Sequence, residues 1–275
     1  MNPLSSDPDI IAERLTATEV EIQRGSLATS IDKTDWFPLL IEGGSHRSTT
    51  ETRALFDLVG KDMIAKMTTK FYQLAFADPH LDKFIRSHND PHGERFANWI
   101  SEKLGNDTSW SEERARRPRH EVELADGRST VVHDRSSAHG AAWHSVKREP
   151  EKVGRHFKLD DARVWMRLHF LAMREVGIVE KSPQFAEYYV RFIGHFVKVY
   201  EGRAPMFARE AFRWGADEEN VKAYVGNGRI FNEIIDKPFT SHLAMLPTEE
   251  AEDVIWPYYD THKDLIEARG AGAGW

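Results

Sequence analysis

Six apolar residues, Leu55, Val59, Met63, Met67, Phe71 and Leu74, recur at spacings of four and three. That repeat is one buried face of an α-helix, so the spacing predicts a helix over 52–77, ended by Asp78-Pro79. Asp78 then caps a short helix with Pro79 in its first turn, and PHLDKFI brings Leu81 and Phe84 to one side. Asp90-Pro91 repeats the device ahead of HGERFANWISEKLG, which places Phe96, Trp99 and Leu104 for burial and stops at Gly105. A further helix over 160–176 carries Trp165, Leu168, His169, Ala172 and Val176 on one stripe, with Asp160 or Asp161 at its positive amino end. Ser182-Pro183 opens the next, whose Phe185, Tyr189, Phe192, Phe196 and Tyr200 make an aromatic wall ending near Gly202.

Between these helices the signals weaken. Residues 1–50 are polar and mixed and read as a loosely structured arm ending in GGSHRSTTE. Residues 106–138 hold the basic run RARRPRH and two alternating stretches flanking Asp126-Gly127, which predict an inserted loop or small hairpin. Shorter helices are expected over 206–214, 217–225 and 248–256. The GxG of the GAGAGW tail has no strand before it and no helix after it, and takes no nucleotide role. The expectation is an all-α bundle: one domain over 51–202 with the arm before it and a helical extension over 203–275.

The 275 residues include no cysteine, which excludes disulfides, thiolate zinc sites, iron–sulfur ligation and a cysteine nucleophile. Any metal must use His, Asp or Glu, and thirteen histidines are present. A net charge of −7 argues against a nucleic-acid surface. No stretch has the apolar length of a signal peptide or a membrane span, so a cytoplasmic protein without membrane contact is expected. Three histidines, His144, His156 and His169, surround the helix of Trp165. His144 follows Trp143 in an Ala-rich turn and precedes Lys147 and Arg148. An imidazole pointing inward with cations at the rim suits a buried haem, whose iron takes one imidazole and whose propionates take positive charge. A hydrogen-bonded core histidine would account for the same residue types.

The order of features narrows this choice. Phe71-Tyr72 late in the first helix, then ADPHLDKF, then HGERFANWISEKLG, then a His-bearing loop, then RVWMRLHF and an aromatic helix, resembles the truncated, two-over-two haemoglobins. The likeness runs over about 53–200 and is nearest to the group with a tryptophan in the penultimate helix. It implies a globin-like sandwich holding haem b, and reversible binding of oxygen, NO or CO. Tyr72 matches the distal tyrosine and Trp165 the pocket tryptophan, both hydrogen-bond donors to an iron-bound ligand. His92 and Phe96 match the two distal-helix positions facing the ligand, and Phe84, or Ile85, packs on the haem face.

The proximal ligand departs from the family pattern. His156 lies nine residues before Trp165, fewer than the family uses, and His144 lies twenty-one before, more than it uses. A loop absorbs extra residues at modest closure entropy, whereas losing a helical turn moves a ligand off its face, so His144 is preferred and His156 is the alternative. Lys147 and Arg148 become candidate propionate partners, and His169 a packed or inter-helix hydrogen-bonding residue. The two donors favour oxygen retention, hence sensing, scavenging or NO and peroxide redox chemistry over bulk transport. Sustained turnover would need an external reductase.

Two other readings stand beside this one. A haem-less globin shell could serve as an interaction module. An all-α metal-dependent phosphohydrolase would use His133-Asp134 with His120 and Asp160 or Asp161 as ligands, and Arg116, Arg117 or Arg119 against phosphate.

Overall fold

The computed structural model describes residues 37–105, 107–123, 127–133, 138–253 and 256–258. These are mostly helical, and the strands among them form only two two-stranded hairpins. The first hairpin pairs β1 (Ile41–Glu42) with β2 (Ser45–His46). Its turn is Gly43-Gly44, both with positive φ, which a two-residue hairpin loop requires and glycine alone adopts freely. The expected loose arm is corrected here. Phe37, Leu39 and Ile41 alternate into the core, and His46 bonds the Tyr188 hydroxyl at 2.7 Å. Period-two burial over only five residues is a short signal in a polar surround. Residues 1–36 lie outside the described residues.

The helix expected over 52–77 is two: α1 (Thr50–Val59) and α2 (Lys61–Ala77). Gly60 at φ +83° leaves the helical region between them, yet both helices keep the buried stripe, which is why the apolar spacing runs on across the break. Asp78 then accepts from the His80 and Leu81 amides to start α3 (Pro79–Asp82), and α4 (His92–Gly105) has the expected bounds.

The 106–138 region holds a helix as well as the expected hairpin. RAR belongs to α5 (Ser109–Arg116), and β3 (Arg119–Glu123) pairs antiparallel with β4 (Ser129–His133). After α6 (Ala138–Trp143) and a 3-10 turn over Pro150–Lys152 comes α7 (Leu159–Glu175), then α8 (Ile178–Lys181) and α9 (Pro183–Val197), the last capped by the Ser182 hydroxyl. α9 ends five residues short of Gly202. The extension is a 3-10 turn (Ala204–Phe207) followed by α10 (Ala208–Trp214), α11 (Glu218–Gly226), α12 (Phe239–Leu243) and α13 (Thr248–Ala251).

α2 packs on α4 and α7, and α10 covers another side of α7. Enclosed in this way, α7 is buried from Leu159 to Met173 at every position except Trp165. A helix buried all round is normally apolar all round. This one is not, because Arg163 and Arg167 on its α10 side bond Glu210 at 2.8 and 2.5 Å. Among the described residues no helix is long and apolar enough to cross a membrane.

Candidate ligand recess

The one accessible side chain of α7's buried stretch stands among rings from three helices. Phe71 of α2 meets Trp165 edge-on at 5.3 Å and Tyr72 at 5.0 Å. Phe96 of α4 lies 5.9 Å from Trp165, and His92, one turn earlier, stacks on Tyr72 at 5.1 Å and 22°. The structure therefore gathers Tyr72, His92, Phe96 and Trp165 into one wall. The i, i+4 spacing of His92 and Phe96 on α4 aims both at α2.

Tyr72, Phe96 and Trp165 are half-buried, not sealed. Burial nonetheless pushes the Tyr72 phenol up to about 12 and lowers His92, whose Nε2–H donates to the Ser87 carbonyl at 2.9 Å. The accessible edges of these clustered rings make the wall a candidate ligand recess. No described group bonds the Tyr72 hydroxyl or the Trp165 indole N–H, so the recess presents two donors on an apolar wall.

A second ring group continues this wall. Phe84 is buried and meets Phe157 at 5.2 Å, and both pack in the apolar cluster that contains Phe71, with Tyr72, Phe96, Ala142 and Trp165 against it. Phe157 meets Trp143 at 5.9 Å and His139 at 5.7 Å and 88°. The three histidines near α6 and α7 differ sharply. His144 donates from Nδ1 to the Gly140 carbonyl at 2.8 Å and lays its Nε2 against Gly154, 3.5 Å from where a Cβ would sit. His156 is exposed and stacked on the Trp143 indole at 4.0 Å. His139 is half-buried, and burial lowers it to about 4, the combination that also marks Tyr72.

The sequence reading passed over His139. Its signal was the small-residue setting AHGAA, which lets a helix approach its neighbours closely. His169 is a buried inter-helix bonding residue, reaching Tyr189 at 2.9 Å. The two cations have partners already. Lys147 bonds both oxygens of Asp82 at 3.1 Å, and Arg148, buried over the Phe84 ring, donates to the Trp143 and Arg155 carbonyls. Arg148 thus pins the loop that carries His144 and His156.

Among the described residues, His80, Asp160 and Asp161 bring ligand atoms within 4.8 Å of one another. Each carboxylate oxygen of this cluster already accepts a hydrogen bond. Asp161 accepts from His80 at 2.7 Å and from the Lys158 amide, while Asp160 accepts from the Asp161 and Asp236 amides. The cluster caps α7 and ties α3 to it. Of the phosphohydrolase ligand set, Asp134 lies outside the described residues. Scans of protein-family models, curated proteins and solved structures each find no match to this chain.

Proposed function

We propose that this chain is a globin-like protein that binds haem b in the recess and reversibly holds oxygen or another diatomic ligand such as NO or CO. The observation that carries the reading is Trp165, the single accessible side chain in a helix otherwise buried from Leu159 to Met173, which shares the Phe71 ring with Tyr72. Two neutral donors on an aromatic wall suit an iron-bound ligand with partial negative charge, and the wall itself suits a flat macrocycle. α2 packs on both α4 and α7, which brings the rings of all three helices onto this wall. Haem would supply the iron and its ligand-binding chemistry. The protein would supply the apolar enclosure, the distal donors and one neutral imidazole.

For that imidazole we assign His139 in place of His144 or His156. An iron ligand must be a neutral base inside the recess. His139 is half-buried against Phe157, the ring that adjoins Phe84, whereas His144 turns Nε2 to Gly154 and His156 is exposed. Hemin titration of the purified chain tests the reading: an intense absorption band at the blue edge of the visible is expected, and its absence leaves the haem-less interaction module. His139→Ala is expected to lose or transform that band, with His144→Ala and His156→Ala leaving it intact. Loss in either of the latter two instead moves the ligand there.

A further inference from the structure

α7 and α9 are joined by a hydrogen bond between the His169 imidazole and the Tyr189 hydroxyl, at 2.9 Å with both residues fully buried. His169 Nδ1 has no partner. Burial lowers the imidazole to about 3 and holds the phenol well above its ordinary value, so both rings are neutral. Packing alone would join two helices here, and a buried polar pair with an unsatisfied nitrogen works against stability. What distinguishes the pair is its position. The His169 ring lies flat on Trp165, with centroids 4.7 Å apart at 11°, and Trp165 opens on the recess. Indole, imidazole and phenol thus form an unbroken line from the recess into the core.

Indole and phenol are readily oxidised by one electron, and a phenol yields its electron easily only when a base takes its proton. We infer that Trp165, His169 and Tyr189 form a one-electron relay that carries oxidising equivalents from the recess to Tyr189. A one-electron oxidant, of the kind derived from peroxide, takes an electron from the Trp165 indole and leaves its radical cation. An electron from Tyr189 fills that vacancy. The Tyr189 O–H bond breaks, and its proton passes along the hydrogen bond to His169 Nε2. The products are neutral Trp165, a Tyr189 phenoxyl radical and a His169 imidazolium, so one electron and one charge have moved together. An oxidised phenol is a far stronger acid than its parent, so even a weakly basic buried imidazole accepts the proton. With the phenol as donor, Nδ1–H is left to the surrounding rings, where Phe71 stands edge-on at 5.1 Å. The relay rests on the recess as the reactive site, but it does not need haem to be tested.

The full chain, without hemin, is oxidised by a flash-generated ruthenium(III) polypyridyl complex and frozen for electron paramagnetic resonance. A phenoxyl signal is expected in the wild type, absent in Tyr189→Phe and retained in Tyr188→Phe, with slower formation in deuterated solvent. A signal unchanged in Tyr189→Phe, or an indole signal alone in the wild type, overturns the relay. Should Tyr189→Phe fail to fold by circular dichroism, Trp165→Phe at the half-exposed end decides: an undiminished phenoxyl yield overturns it. Repeating the measurement with hemin and hydrogen peroxide separates the two proposals. A missing haem band sinks the haem reading, while the flash experiment still decides the relay.

Discussion

A phenol is protonated throughout the neutral range, and desolvation pushes that of Tyr72 further up, to about 12, so its O–H stays a donor there. A donor of this kind strengthens the hold on a polar bound ligand by the net worth of one hydrogen bond. Tyr72→Phe in the hemin-loaded protein is therefore expected to raise the oxygen off-rate about two- to tenfold, equivalent to ~0.5–1.5 kcal/mol. Stopped-flow displacement of oxygen by CO measures it, and an unchanged rate would remove Tyr72 from the ligand's surroundings. Tyr72, His92, Phe96 and Trp165 were legible in the sequence because helical spacing tells which residues share a face. His139 was not. Its distinction from His144 and His156 depends on how α6 and the following loop lie against Phe157 and Gly154, and no periodicity encodes that.

The elements show a similar division. α4 was readable from its apolar face and the starts of α3 and α9 from their caps, since a capping side chain acts within three residues of its own position. The ions buried on α7 were not, because their partners stand far along the chain. Arg163 and Arg167 meet Glu210 across separations of 47 and 43 residues, and Arg167 also meets Glu233 across 66. Burial pushes the Glu210 carboxyl up, and Arg167 and Arg163 outweigh it, leaving the group below its ordinary range. Glu210→Ala would leave the buried Arg163 guanidinium without a carboxylate, with His242, Met245 and the Phe207 ring beside it, and Arg167 with Glu233 alone. The expected loss is ~3–5 kcal/mol, seen as a lower urea midpoint. Equal midpoints would mean that α10 is held to α7 by apolar packing alone.

At the scale of the whole molecule, buried histidines tie the first hairpin and Tyr258 to α9. His46 of the first hairpin bonds Tyr188, and His195 of α9 bonds Tyr258 near the end of the described chain. Burial lowers His46 and His169 to about 3 and His139 and His195 to about 4, from an ordinary 6.5. Each binds its proton more weakly folded than unfolded, so the unfolded chain takes up more protons between those values. Stability is then full above about pH 6.5 and falls as pH drops toward 4, by up to about 1.4 kcal/mol per pH unit for each histidine. Urea midpoints measured across this range should decline well before carboxylates titrate, and a flat profile down to about pH 5 would contradict the burial of these rings. By itself the sequence determined the helical class, the main caps and the faces that meet at the recess, since apolar spacing and capping are local. Only the tertiary structure decided where α1 ends and α2 begins as packed units, how His139, His144 and His156 are each set, and which acids neutralise the arginines of α7. Those outcomes depend on contacts between residues tens of positions apart, and a contact of that kind leaves no local periodic signal.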